Sequence, residues 1–413
     1  MQYLEIRNVG PIESVQIELK RFNVFIGAQS IGKSTIAKIF STCSWLEKEA
    51  ATNMDEKLVG TGDDFKTILG SFHKMEGYLD VNAPSYIQYE TDSVCIIYEN
   101  NHLSVKLKDD SDYFRQKICY IPSERNMVIL PELQGFEFGE TNLRSFLFDW
   151  FKAREYYNGD NKADVMGLGV KYYFNKDEKR FKDRIEHENG QAYEISLACA
   201  SSGLQSVIPL YVMLDYYSGE YFNTFSEKIS FEMDDKSIQR RMMLTDKIVL
   251  EHFYPGFSRE ERLQRIKDVN NRLHEGDAEV MTVMKDYMAA VERLSRPERT
   301  TFIIEEPEQN LFPDTQLELM NTLTKLCQQE RKHHFTLTTH SPYIVNYLNV
   351  LMRRGKDDIS HIDADDLNVF RVYDGRLQNL MSKDLDTGEW VVDTMGLSEQ
   401  MIDMYNEYDA LGV

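Results

Sequence analysis

Gly27-Ala28-Gln29-Ser30-Ile31-Gly32-Lys33-Ser34-Thr35 is a complete match to the pattern G-x-x-x-x-G-K-[ST]. Glycines at its ends let backbone N–H groups close around phosphate oxygens, where Cβ atoms would obstruct them. Lys33 has the reach for β and γ phosphates, and Ser34 offers a hydroxyl to magnesium. A helix opening at this point would aim its positive end at the anion. The second stretch is Ile303-Ile304-Glu305-Glu306-Pro307-Glu308, an apolar run ending in carboxylates. Glu305 suits a magnesium shell, commonly through water, and Glu306 suits polarising a water at the γ phosphate. Third is Thr338-Thr339-His340-Ser341-Pro342, whose histidine follows another apolar run and could sense that phosphate through a hydrogen bond. Fourth is Cys199-Ala200-Ser201-Ser202-Gly203-Leu204-Gln205, small and polar residues at the start of a helical pattern.

These residues need elements that bring them together. Tyr3–Ile6 and Val15–Leu19 alternate as half-buried strands, whereas Phe22–Ile26 is almost wholly apolar, the pattern of a strand covered on both faces. Strand, glycine loop, then a helix with Ile36, Ile39 and Phe40 on one side is the context the first motif requires. Residues 46–80 read as mainly helical and residues 86–108 as a strand-rich arm. Ile118–Ile121 is a strand stopped by Pro122. Helix is expected over 143–157, hairpin strands over 169–195, and a helix near Gly203 carrying Val207, Leu210, Tyr211 and Leu214. Thr301–Ile304 and Phe335–Thr338 are further strands, and a parallel sheet would set His340 beside the γ phosphate. More strands are expected at 367–373 and 376–381. Four segments follow: an N-terminal ATPase lobe (1–125), a helical and strand-rich segment with the Ser-Gly motif (126–219), a helical insertion (220–296), and a C-terminal ATPase half (297–413). In the insertion, Met281, Met284 and Met288 recur at helical spacing and are expected to pack in a core.

Bulk properties exclude several classes. The chain has 413 residues, 42% of them hydrophobic, enough for a sizeable core. No run approaches the ~20 apolar residues that span a bilayer. No basic-then-apolar leader opens the chain, and the five cysteines lack metal-ligand spacing, so a reducing cytoplasm is expected, without membrane or structural zinc. The net charge is −21, with 20 acidic against 9 basic residues in 301–413 and near balance in 220–300. Neutralising phosphates calls for basic excess, so direct nucleic-acid binding is disfavoured, and Arg259, Arg262, Arg265 and Lys267 read as a solvated helix face.

In this order the four motifs resemble the OLD-like and SMC/RecF-like branch of the ABC ATPases, over most of the chain. The acidic cluster followed by Leu311-Phe312-Pro313 and Thr339-His340-Ser341-Pro342 looks like the OLD-type version, as does Ile6–Ile12 ahead of the glycine loop. Within that branch the chain is most similar to stand-alone ATPases of bacterial anti-phage systems of the PARIS, Septu and retron-associated kinds, where the ATPase senses or gates and a partner does the damage. The resemblance implies an α/β P-loop fold of ABC type: a mixed β-sheet flanked by helices, a helical insertion and a strand-rich arm. It implies ATP and Mg2+, with Gly27–Thr35 on the nucleotide, Ser34 and Glu305 on the metal, Glu306 catalytic and His340 the switch. Ser202, Gly203 and Gln205 would touch nucleotide held by a second subunit. The implied partners are a second copy of the chain in an ATP-dependent dimer, larger rings remaining open, and an effector protein, a nuclease.

The pattern departs from that family at two places. Leu204 stands where transporters have a second glycine, and no glutamine follows the 118–121 strand. Gln116 precedes it, and Tyr120–Arg125 occupies the junction, with Arg125 or Ser123 the candidate for the missing role. Full OLD proteins add a nuclease with a D-x-D pair. Asp363-Ala364-Asp365 has that spacing, but too few residues follow His340 for such a domain, and an exposed acidic turn is expected. The chain is therefore read as an ATPase without its own nuclease. The alternatives are a RecF-like ATPase acting on DNA and a nucleotide-gated scaffold with hardly any turnover.

Overall fold

The computed structural model describes residues 2–56, 60–81, 83–108, 113–130, 139–178, 182–188, 190, 192–223, 241–397 and 399–411. The early alternating runs pair as an antiparallel hairpin, Gln2–Val9 (β1) with Ile12–Glu18 (β2), and Phe22–Ile26 (β3) follows with all five residues buried. The glycine loop leads into Lys33–Asn53 (α1). The strand-rich arm is Tyr86–Thr91 (β4), Val94–Glu99 (β5) and His102–Leu107 (β6). It extends the hairpin into a five-stranded antiparallel sheet, β2-β1-β4-β5-β6. Gln116–Ile121 (β7) ends at Pro122, and Asn142–Arg154 (α2) begins behind a Thr141 cap. Ala163–Asp164 (β8), Val170–Phe174 (β9), Asp183–His187 (β10) and Tyr193–Ser196 (β11) make a second antiparallel sheet ahead of Ser202–Ser218 (α3). Beyond it come Ala278–Ser295 (α4), Arg299–Glu305 (β12), Pro313–Cys327 (α5), His334–Thr339 (β13), Pro342–Arg353 (α6), Leu367–Tyr373 (β14) and Arg376–Asn379 (β15).

Six strands form the central sheet in the order β15-β14-β3-β13-β12-β7, parallel except for β15. This is the mixed α/β P-loop fold expected from the motifs. Its register fixes the site. Ile26 pairs with Thr339, and Thr338 pairs with Glu305, so three strands end level and hand Gly27, His340 and Glu306 to one edge. Ligands of open parallel sheets bind in that crevice beyond the carboxyl ends. Phe22, Phe335 and Phe302 stack across β3, β13 and β12 with ring centroids 5.6 and 5.1 Å apart. Each such pair adds roughly 0.5–1.5 kcal/mol beyond its buried area and resists slippage of the register. Phe22, Val24, Phe302 and Ile304 join Trp150 of α2 and Leu210 of α3 in one core. Phe25 and Ile303 face the opposite way, against Ile36 and Phe40 of α1 and the antiparallel sheet.

Two histidines are built into this core uncharged. His333 is fully buried; its Nδ1 accepts from the Thr300 N–H at 3.0 Å and its Nε2 lies 3.1 Å from the Ser218 carbonyl, a pairing that only the neutral ring completes. Burial lowers His333 to about 4 and His73 to about 3. The unfolded chain would take up protons near pH 6.5, where the folded chain does not. The stabilisation is therefore complete above about pH 6.5 and is lost as pH falls towards 4 and 3, at about 1.4 kcal/mol per pH unit for each histidine. Thermal melts of wild type and His333→Gln between pH 7.5 and 5 should show a shallower acid slope for the variant. Equal slopes would contradict the neutral burial.

The insertion differs from expectation in how it packs. Its residues 224–240 lie outside the described residues. In α4 the buried face is Val280, Val283, Ala290 and Leu294, and Val280 and Val283 meet Val249, Leu250 and Val269 in a small core. The methionines are set about one residue, or 100°, round the helix from that line. Met281 is 49% and Met288 60% exposed, and only Met284 packs part-way against the core. Two of the three methionines thus face outward, because Val280 and Val283 occupy the side of α4 that meets Val249, Leu250 and Val269. Arg262 makes two bonds to the buried Asp246, at 2.8 and 2.9 Å, so that basic residue ties the insertion together. Asp363 and Asp365 are exposed on a turn, where Asp366 pairs with Arg21 at 2.8 Å.

Candidate functional site

The glycine loop leaves β3 at Gly27, and α1 starts at Lys33 with Gly32 as its cap. Gly32 has φ 106°, a conformation side chains rarely adopt, and a Cβ there would lie 2.3 Å from the Ile12 Cδ1. At Gly27 a Cβ would lie 2.6 Å from the Val372 carbonyl of β14, so the loop can turn only on glycine. No side chain caps α1. Its first N–H groups therefore remain for an anion, aided by the helix dipole. Ala28, Gln29 and Ser30 are exposed, Ile31 and Ser34 half-buried, and Thr35 is 5% exposed beneath the loop.

Lys33 is buried, and its Nζ donates to the carbonyls of Gly27 at 2.9 Å and Ala28 at 2.6 Å. The same Nζ lies 3.4 Å from the His340 Nδ1, and the His340 Nε2 lies 3.5 Å from a Glu306 carboxylate oxygen. An ammonium can only donate, so the Nδ1 accepts and the proton sits on Nε2, directed at Glu306. Lys33, His340 and Glu306, 307 residues apart at the extremes of one pair, thus form one polar line across the strand ends. Burial draws the Lys33 amine below its ordinary value, while Glu306 and Glu308 pull the other way. An arriving phosphate would reinforce that second pull.

The acidic stretch divides the labour between buried and accessible carboxylates. Glu305 ends β12 at 5% exposure, and its Oε1 has no protein partner among the described residues. The adjacent Tyr120 phenol is pushed well above its ordinary value by burial and then by Glu305. Thr338 Oγ1 and Glu308 Oε2 are likewise buried without partners. Orphaned buried oxygens at a strand end suit a hard divalent cation, whose oxygen ligands would satisfy them. Glu306 follows at φ 45°, a left-handed backbone, with its N–H donating to the Thr338 carbonyl at 2.8 Å.

Two further residues shape this region, in roles that their sequence motifs did not assign. Glu308 accepts the His340 N–H at 2.6 Å and so fixes the histidine's entry into α6. The Glu-Pro-Glu spacing was its only sequence signal. Arg125 is the other. Its guanidinium is fully buried and donates to the carbonyls of Ser206 (3.2 Å), Glu305 (2.9 Å), Glu306 (2.8 Å) and Pro307 (3.4 Å). Arg125 therefore grips backbone and does not take the part of the missing glutamine at the phosphates. Ser123 donates to its neighbour Glu124 at 3.3 Å. Gln116 sits at the far end of β7, accepting from Thr301 at 2.6 Å.

The Ser-Gly motif is placed apart from this line. Ser201, one residue earlier than the motif's centre, caps α3 by accepting from the Leu204 N–H. Ser202 is exposed and Gly203 half-buried. Gln205 donates to the Leu197 and Ala198 carbonyls, holding the turn before the helix. No hydrogen bond or ion pair joins Ser202, Gly203 or Gln205 to residues 27–35 among the described residues. Gly203 instead abuts the Asn310 carbonyl, 3.1 Å from where a Cβ would stand.

Residues 281–345 match the AAA ATPase domain family. No curated protein matches the chain significantly in sequence. Similar solved structures include an SMC head domain from Thermotoga maritima (10% identity, 91% of this chain and 97% of that chain covered, TM-score 0.37). Others are the recombination mediator protein RecF (10%, 92% and 97%, TM-score 0.30) and a dimeric ATP-binding cassette in a post-hydrolysis state bound to ADP and Pi (13%, 91% and 96%, TM-score 0.30). The family match takes in β12, α5 and β13, and with them Glu305, Glu306 and His340. The chain is thus similar to AAA ATPase domains over residues that include the acidic pair and the histidine, while the glycine loop lies outside the matched residues.

Proposed function

We propose that this protein is an ATP-hydrolysing switch of ABC type, which dimerises on ATP and controls a separate effector, a nuclease, in bacterial anti-phage defence. The observation that carries the ATPase reading is the line Lys33–His340–Glu306 at the carboxyl edge of a parallel sheet, directly beside an uncapped helix N-terminus. Lys33 would leave its two loop carbonyls for the β and γ phosphates. Glu306 would accept the proton of the attacking water as its oxygen bonds to the γ phosphorus and the bond to the β–γ bridging oxygen breaks, releasing ADP and phosphate. His340, held by Glu308, would donate its Nε2 proton to a γ-phosphate oxygen and so report whether that phosphate is present. Ser34 and Glu305 would hold magnesium, which neutralises phosphate charge when bound.

The dimer reading rests on the Ser-Gly motif. Ser202 is exposed and Gly203 half-buried at a helix start, and neither bonds to its own glycine loop, an arrangement that a second copy would use by closing over the nucleotide. The effector reading rests on the resemblance of the motifs alone. The insertion over 220–296, with Met281 and Met288 exposed, is the proposed partner surface.

Purified protein with ATP and magnesium is expected to release phosphate at turnover rates of an ordinary ATPase, and tagged protein held with ATP to co-purify a nuclease. Absence of phosphate release would leave the scaffold reading standing. Recovery of DNA with steep salt dependence, in place of a protein, would favour direct action on DNA.

A further inference from the structure

Arg125 makes no ion pair among the described residues, although it is fully buried and charged. Burial lowers its guanidinium to about 10, opposed by Glu308, Glu306 and Glu305, so it keeps its proton at neutral pH. Its hydrogen bonds go to four backbone carbonyls in two regions far apart in sequence. Three are consecutive at the end of β12 and into the turn after it: Glu305, the left-handed Glu306 itself, and Pro307. The fourth is Ser206, in the first turns of α3. A planar guanidinium with donors in a fixed fork sets the relative placement of the carbonyls it joins.

A second contact joins the same two elements. Gly203 lies against the Asn310 carbonyl, closely enough that a Cβ would have to push it. Asn310 closes the turn that Glu306 opens, and it too is left-handed, at φ 60°. Downstream, Pro209 lies inside α3 and removes one helical N–H, which leaves the helix start freer to tilt as a unit. The start of α3 and the turn 305–310 are therefore joined by hydrogen bonds through Arg125 and packed closely at Gly203–Asn310. Displacement of Ser202 and Gly203 must reach the backbone of Glu306.

We propose that Arg125 is a positioning residue that couples the Ser202–Gly203 helix start to the Glu306 carboxylate of the same chain. Its consequence is communication between paired sites. When Ser202 and Gly203 of one chain engage nucleotide on a second copy, Arg125 brings that chain's own Glu306 into line with its own nucleotide. Hydrolysis at one site then depends on closure at the other. This inference rests on the dimeric reading given above.

The test is Arg125→Lys in the full chain, which keeps the charge but replaces the fork by a single point donor. Turnover should fall about a hundredfold, the scale on which slight misplacement slows a reaction. ATP affinity, measured in a Glu306→Gln background, should stay within about twofold, because the glycine loop is untouched. The ATP dependence of turnover should be sigmoidal in wild type and hyperbolic in Arg125→Lys. A merely structural role would lower affinity and turnover together and leave the curve shape alone. If the buried substitution prevents folding, wild type mixed with excess Lys33→Ala chain is the second measurement: turnover per wild-type chain should fall, because the partner's empty site leaves Ser202 and Gly203 unengaged. A hyperbolic wild type, a sigmoidal Arg125→Lys, or unchanged turnover per wild-type chain in the mixture overturns the coupling. The two readings fail separately: unaltered hydrolysis by Glu306→Gln defeats the catalytic assignment, whereas its loss alongside a normal Arg125→Lys defeats only the coupling.

Discussion

Glu306→Gln is expected to lower phosphate release roughly a thousandfold, as removal of a positioned base does, and to leave ATP-bound protein trapped as a closed dimer. The substitution is nearly isosteric. Its amide oxygen can still accept from the His340 Nε2, which lies 3.5 Å from the carboxylate in wild type. The backbone of residue 306 stays held by the Thr338 carbonyl and Arg125, so the turn should keep its shape. What disappears is the group that takes a proton from water. The γ phosphate then persists, and with it the contacts that a second copy's Ser202 and Gly203 would make. Light scattering of the variant with and without ATP reads the outcome directly. Equal masses in both states would remove the sandwich dimer, and normal phosphate release would remove Glu306 as the base.

Lys33→Ala is expected to act one step earlier, on binding. The ammonium makes two charge-assisted bonds to loop carbonyls that it would exchange for phosphate oxygens. Bonds of this kind contribute about 1.5–3 kcal/mol each, so their loss should weaken ATP about a hundredfold or more. Stability should change little, because the exposed Ala28 lets water replace the lost donor at its carbonyl. Calorimetric titration of a non-hydrolysed ATP analogue distinguishes the two variants: Glu306→Gln should bind normally and Lys33→Ala should not. Undiminished binding by Lys33→Ala would place the nucleotide elsewhere.

The methionines show where local pattern misleads. A helical stripe at 281, 284 and 288 is as regular as the stripe at 280, 283 and 290, and periodicity alone cannot say which faces inward. The valines pack because Val249, Leu250 and Val269 approach that side, a fact set by the fold of the insertion. Arg125 is a similar case. Its place after a strand suggested the phosphates, yet its donors go to carbonyls about 80 and 180 residues away.

The sequence by itself determined whatever depends on short range. The glycine loop is one such feature, because Gly27 and Gly32 are demanded by φ and by close approach over nine residues. So are β3 as an all-buried strand, α1 behind the loop, and the acidic pair at the end of β12. The tertiary structure decided what depends on register and on which surfaces meet. Pairing of Ile26 with Thr339 and of Thr338 with Glu305 sets Lys33, His340 and Glu306 in one line, and no spacing within a motif encodes it. It also decided that Arg125 closes on the turn at Glu306 and on α3, because a buried guanidinium takes whichever carbonyls the packed elements present.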